Sequence, residues 1–417
     1  MKILQVLCQK PWLTGSGVFL EALIHAGTSA GISPGVVAGV PLKETETAAK
    51  MMGQAAFFPV QFETDALPFP IVGMSDVMPY PSTRYRDLTE EMLESWEMAF
   101  RKKLVQAAEV FQPDLVICHH LWLLSALTRQ TLPHIPVLGL CHGTCLRQYH
   151  LAPRFSGLAR AGCRRLDGIF ALHEAQKEEI HQLLDFPKEL IQVSGAGYSP
   201  DFFFPPNKAK SLRPLKLVYA GKLSAAKGVP SLIRVFQRLS EKHPGIELHL
   251  AGSGSGMEAR EIITMAKGRT DVLFHGNLSQ VNLGELFRTS YLFVLPSFFE
   301  GLPLVVIEAL ASGLRVVTTE QPGLKSYLDQ VPGSREMIQY AELPPLRVDQ
   351  PSVQDLPAFE DRLYDAINLQ LNRVKERDDH GPAWEKAIGT LSWEGVFSRM
   401  MSFIDKIYQT GSFNKKF

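Results

Sequence analysis

The 417-residue sequence predicts an α/β protein built from two Rossmann-like, doubly wound parallel-sheet domains facing across a cleft. Three observations carry that prediction. Short, β-branched apolar runs recur along the chain with helical patterns between them. The runs are continuous rather than alternating, as strands buried on both faces require. The series then halts at a proline- and lysine-rich stretch and restarts, and the length fits about two domains.

The expected strands of the first half are ILQVL (3–7), GVVAGV (35–40), LVICHH (115–120), IPVLGLCH (135–142) and GIFALH (168–173). Among the segments between them, one amphipathic helix starts near Thr89, with Leu93, Trp96, Phe100, Leu104 and Phe111 on its apolar stripe. PPNKAKSLRP (205–214) has no apolar period and reads as an interdomain linker, leaving 1–204 as the first domain. The second domain, 215–389, holds LKLVYAG (215–221), IELHLAG (246–252), VLFHG (272–276), LFVLPS (292–297) and RVVTT (315–319). A last amphipathic helix covers TLSWEGVFSRMMSFIDKIY (390–408), and periodicity leaves its domain open.

Composition narrows the function. Lys plus Arg and Asp plus Glu number 43 each, so the chain lacks the cationic surplus that nucleic-acid binding uses to displace counterions. The five cysteines are odd in number and form no CxxC pair, which fits reduced, buried thiols in a cytosolic protein better than a zinc site at Cys141, His142 and Cys145. The start resembles no signal peptide, and no apolar run is long enough to span a bilayer. The expectation is a cytoplasmic protein, at most peripherally membrane-associated.

SFFEGLPLVVIEALASGLRVVTT (297–319) places two carboxylates, Glu300 and Glu308, in an almost wholly apolar stretch. A strand ended by Pro296 leads to a loop. Pro303 is then tolerated in a first helical turn, and Gly313 sits like the glycine after a helix. The free amides from about Leu304 onward form an anion site. Carboxylates beside a bound phosphate repel it, so they would reach past it to paired hydroxyls; a capping glutamate and a buried Glu–Arg pair is the alternative.

Further residues fall at strand carboxyl ends, where doubly wound sheets bind ligands. Lys222 and Lys227 flank the turn in VYAGKLSAAKG, placed to neutralise a diphosphate or simply solvated. LAGSGSGM misses the dinucleotide fingerprint, because Met257 stands where its last glycine belongs. In the first half, Gly15 and Gly17 permit close backbone approach to a ligand or make a tight turn. His119 and His120 end one strand and His142 the next. Arg147, Arg154, Arg160, Arg164 and Arg165 share one segment that could meet an anionic acceptor or membrane surface, or be a solvated face.

This combination resembles the family 4 glycosyltransferases of the GT-B fold. The E-x7-E pair Glu300/Glu308, AGKLSAAKG, LAGSGSG, FHGNLS, VSGAGYSPDFFFP and SWEGV occur in family order over nearly the whole chain. The resemblance implies retaining sugar transfer from a nucleotide diphosphate sugar of the UDP type to a hydroxyl of a glycan, lipid-linked or small-molecule acceptor. It implies no metal and no cofactor, the nucleotide sugar being a substrate. By position, Glu300 would hold sugar hydroxyls, Glu308 the ribose, and Lys222 and Lys227 the diphosphate. The backbone from Gly301 through Leu302 to Leu304 would touch sugar or phosphate. His119 would be the catalytic-site histidine with His120 beside it, and Gly17 would lie by the reacting centre. His120, His142 and Arg147 would face the acceptor. The helix at about 390–417 would pack back on the first domain. Lys222 stands where the family often has Arg, keeping charge but losing the bidentate fork. An NAD-dependent oxidoreductase, or an inactive nucleotide-sugar-binding relative, is the competing reading.

Overall fold

Every apolar run expected to be a strand forms one in the computed structural model, which describes residues 1–76, 78–206, 213–347, 350–375 and 382–409. The chain divides into two compact units, Met1–Ala196 with Val396–Phe417, and Gly197–Gly395. The centre of the expected linker, 207–212, lies outside the described residues.

The first unit is built on β1 (Lys2–Leu7), β2 (Ser33–Pro41), β3 (Ala56–Phe62), β4 (Leu115–His119), β5 (Val137–Leu140), β6 (Gly168–Ala171) and β7 (Ile191–Val193). Their spatial order is β3-β2-β1-β4-β5-β6-β7, and every neighbouring pair is parallel. Two of these strands carry no strong sequence signal. β3 is an edge strand interrupted by Pro59, and β7 has three residues.

The second unit holds β8 (Leu215–Ala220), β9 (Ile246–Ala251), β10 (Val272–Gly276), β11 (Leu292–Leu295), β12 (Arg315–Thr319) and β13 (Ile338–Ala341). Their order is β10-β9-β8-β11-β12-β13, again all parallel. In each sheet the order reverses once, between β1 and β4 and between β8 and β11. Helices leaving opposite faces there open a crevice at the strand carboxyl ends, which is where such sheets bind ligands.

The helix Glu90–Val110 is started by Thr89, whose hydroxyl accepts from the Met92 amide at 3.2 Å. Trp96, Phe100 and Leu104 are fully buried in the first unit's core, and Leu93 is half-buried at the edge of the stripe. Each large apolar side chain buried there is worth roughly 1.5–3 kcal/mol.

The helix Trp393–Gln409 joins the first unit from Val396 onward. Val396, Phe397, Met400, Phe403, Ile404 and Ile407 are buried, and Arg399 donates two hydrogen bonds to the Ser194 carbonyl at 3.2 and 3.0 Å. Gly27 and Gly168 make room for it: a Cβ on Gly27 would lie 3.3 Å from the Phe397 ring, and one on Gly168 2.9 Å from Ile407. Residues 197–204, expected in the first domain, belong to the second unit. Phe203 packs on Phe287 with ring centroids 6.0 Å apart, and Arg288 donates to the Phe202 carbonyl at 2.8 Å. A composition shift marks where the apolar pattern stops, whereas the boundary follows which core the side chains enter.

Candidate active site

In the second unit the candidate residues collect at the β8/β11 reversal. The turn after β8 carries Lys222, exposed, and a short 3-10 helix Ala225–Lys227 that ends in Gly228. Gly228 has φ +68°, and a Cβ there would collide with the Pro296 carbonyl. The Phe298 amide donates to Ala226 O at 3.1 Å, and Ala225 N to Glu258 Oε1 at 2.8 Å. The two loops that follow β8 and β11 are therefore fastened backbone to backbone.

That fastening brings Lys227 and Glu300 into contact. Nζ lies 2.7 Å from Oε1, with the side chains 30% and 15% exposed. Tyr219 is buried beneath them and donates to the Lys222 carbonyl at 2.7 Å. Its phenol is held well above its ordinary range by burial first and the Glu300 charge second. Gly301 and Leu302 continue the loop, and Pro303 is the N-cap of the eight-residue helix Leu304–Ala311, one position earlier than the first-turn placement expected. Gly313, φ +73°, follows the helix end as the sequence predicts. The first amides of that helix have no intrahelical acceptor and lie at the positive end of its dipole.

Glu308 differs from Glu300. It is 8% exposed, and its carboxyl group makes no hydrogen bond or ion pair among the described residues. Burial raises its pKa to about 8. The alternative of a buried Glu–Arg pair does not describe this residue. An unpartnered buried carboxyl group is costly and occurs where a ligand or proton satisfies it. Ser297, two residues past the preceding strand, likewise has a buried hydroxyl without a partner among the described residues.

Two of the three glycines of LAGSGSGM are accounted for by packing. Gly252 has φ +127°, and a Cβ there would collide with the Gly221 carbonyl. A Cβ on Gly254 would lie 2.5 Å from Leu223 O. Gly17 is similar: its Cβ would lie 2.7 Å from Trp12 N, and its amide donates to the Thr14 hydroxyl at 3.1 Å. Nothing lies within 4 Å of a Cβ on Gly15.

In the first unit the parallel register of β4 and β5 places His119 opposite Leu140, so His119, His120 and His142 meet at neighbouring strand ends. The His119 and His142 rings lie nearly coplanar, tilted by 9° with centroids 5.1 Å apart, and His120 sits 4.7 Å from His142. His119 Nδ1 is 2.9 Å from His142 Nε2, and His119 Nε2 is 3.0 Å from Gln5 Oε1. Burial lowers the pKa of His119 and His120 well below the usual histidine range and that of His142 to about 3. His120 holds φ +75°, a strained conformation for a non-glycine residue, and its Nε2 is buried without a partner. Gln5 escaped the sequence reading, although a glutamine inside the apolar run ILQVL was a visible signal.

The cysteines are all free and buried, and no group of three or more metal-binding side chains occurs among the described residues. No described helix is long and apolar enough to cross a membrane. Arg147 is half-buried on the helix Thr144–Leu151. Arg154, Arg160, Arg164 and Arg165 are exposed, with Arg164 paired to Asp185 at 2.6 Å.

Comparison with known proteins agrees with this architecture. Residues 77–202 match the family model described as Glycosyltransferase Family 4, and residues 202–331 the one described as Glycosyl transferases group 1. Mannosylfructose-phosphate synthase from Agrobacterium fabrum is 32% identical over 178 residues, covering 39% of this chain and 39% of that protein. Glycogen synthase from Mycobacterium tuberculosis is 26% identical over 254 residues, covering 55% of this chain and 60% of that one. The chain thus matches 39% to 60% of the length of these curated relatives. Among solved structures, sucrose-phosphate synthase from Thermosynechococcus elongatus superposes with TM-score 0.67 at 16% identity, covering 98% of this chain and 100% of that one. Anabaena Alr3699/HepE, solved with UDP and glucose, gives 0.65 at 15% identity, covering 97% and 100%. With two matched family models together spanning 77–331, and paired parallel sheets whose loops carry the motif residues, this chain belongs to the family 4 glycosyltransferases of the GT-B fold.

Proposed function

We propose that this glycosyltransferase moves a hexose or related sugar from a UDP-type nucleotide sugar to a hydroxyl acceptor, with retention and without a metal ion. Glu308 carries the proposal. A carboxyl group 8% exposed, with no partner among the described residues, matches a group whose partner is a ligand's paired hydroxyls, here the ribose. Lys222, Lys227 and the start of the helix Leu304–Ala311 hold the diphosphate and stabilise the charge that develops as it departs from an oxocarbenium-like centre. Glu300 turns from Lys227 to the sugar hydroxyls when the lysine engages phosphate. Solved relatives of the same fold contain UDP with glucose, or UDP-glucose, which favours a uridine donor. Gly17 lies by the reacting centre on the donor side and His119 at the catalytic site, while His120, His142 and Arg147, on the helix Thr144–Leu151, face the acceptor.

The test is a panel of UDP- and GDP-linked sugars read by release of the nucleotide, with NAD as a control ligand in thermal-shift measurements. Release of UDP from one sugar, and stabilisation by UDP but not NAD, is expected. Stabilisation by NAD with no nucleotide release from any donor would overturn the reading.

A further inference from the structure

Gln5, His119 and His142 form a hydrogen-bonded chain whose direction is set at one end. Gln5 lies inside β1, 3% exposed, with its carbonyl oxygen 3.0 Å from His119 Nε2. An amide oxygen only accepts, so His119 carries its proton on Nε2. Its Nδ1 is then a bare acceptor, and the 2.9 Å contact with His142 Nε2 requires the proton to sit on that Nε2. His142 is therefore left with an unprotonated Nδ1, and that atom has no partner among the described residues. Both nitrogens of His119, by contrast, are engaged inside the protein.

We infer that Gln5 is a positioning residue that fixes the tautomers of His119 and His142, so that His142 offers its Nδ1 lone pair to a hydroxyl of the sugar or acceptor. The inference deepens the transferase reading and rests on it for the ligand. The surroundings keep the geometry tight. Phe19 meets the His142 ring edge-on at 5.3 Å, and the His119 ring lies in line with it, tilted by only 9°. Neutral rings suit this task, because burial keeps all three uncharged at neutral pH and a neutral imidazole passes a hydrogen-bond direction rather than a charge. His142 is then an acceptor that orients a hydroxyl, while His119 acts through it.

The test uses the full chain with ¹⁵N-labelled histidine. Near pH 7.5 the spectrum is expected to show both His119 and His142 protonated at Nε2 and bare at Nδ1. Gln5→Leu removes the anchor: the two rings should become tautomer mixtures, and kcat/KM should fall about tenfold, the worth of one well-placed hydrogen bond. His142→Phe should lose a similar factor. Gln5→Glu keeps the acceptor oxygen and should restore the tautomers and part of the rate, which a merely folded-state role for Gln5 would not do. His142 found protonated at Nδ1, or unchanged tautomers in a folded Gln5→Leu protein, overturns the inference. A wild-type protein with the expected spectrum but inert toward every nucleotide sugar would instead sink the transferase reading and leave the tautomer assignment standing.

Discussion

At the scale of single residues, the second unit sets two carboxyl groups in opposite conditions eight positions apart. Glu300 is ion-paired with Lys227, while Glu308 is buried with no partner among the described residues. The consequences separate by mutation. Lys227→Ala removes the cation proposed to meet the leaving diphosphate, and turnover should fall by about 10²–10³, as for loss of one preorganised electrostatic group; initial rates of nucleotide release measure it. Glu308→Gln should weaken UDP binding yet stabilise the ligand-free protein. The sign follows from linkage. Glu308 has a folded pKa of about 8, above the ordinary carboxyl value of 4.5, so the folded state holds a proton that the unfolded state has lost. Between those two pH values stability falls by up to about 1.4 kcal/mol per pH unit, and above about pH 8 it levels off. Glutamine is neutral throughout, so thermal melts of the variant should lack that decline, with the gain largest at and above pH 8. Parallel pH–stability curves for the two proteins would contradict the assignment.

At the scale of elements, the strand–loop–helix units were legible because parallel strands buried on both faces leave continuous apolar runs, and because Thr89 and Gly313 mark helix ends by capping chemistry. The short or edge strands β3, β7 and β13 were not, since Pro59 and lengths of three or four residues carry too little pattern. Within the site, the loop and strand-end positions of Glu300, Lys227 and the histidines, and the helical position of Glu308, were readable. Their partners were not: the Lys227–Glu300 contact spans 73 positions, and the Gln5–His119 contact 114. Local spacing holds no record of such pairings. The glycine turns show the same divide, because LAGSGSGM was readable only as missing the dinucleotide fingerprint, while the Gly221 carbonyl that requires Gly252 lies 31 positions away. Gly252→Ala should therefore destabilise by at least about 1–3 kcal/mol. Gly157→Ala, in the helix Ser156–Cys163 with open space around the new Cβ, should be neutral or stabilising by about 0.4–1 kcal/mol. Denaturant unfolding of the two variants side by side checks both.

At the scale of the whole molecule, the helix Trp393–Gln409 completes, from Val396 onward, the unit that holds β1 to β7. Phe397 is 5% exposed and packs against Gly27, some 370 positions earlier in sequence. Phe397→Ala should cost about 3–5 kcal/mol of stability, and that loss should fall on the first unit. Because two units need not unfold together, calorimetry should show one transition lowered and the other, assigned by its shift with UDP, little changed. A uniform shift of both would indicate that the helix stabilises the molecule in some other way.

The central claim is that a nucleotide diphosphate is held at the β8/β11 reversal by Lys222, Lys227 and the amides opening the helix Leu304–Ala311. A crystal structure of the protein soaked with UDP measures it most directly. The account predicts the diphosphate beside those groups, the ribose hydroxyls on the Glu308 carboxyl group, and the Lys227–Glu300 contact released. UDP bound elsewhere, or bound there with Glu308 still without a partner, would contradict it.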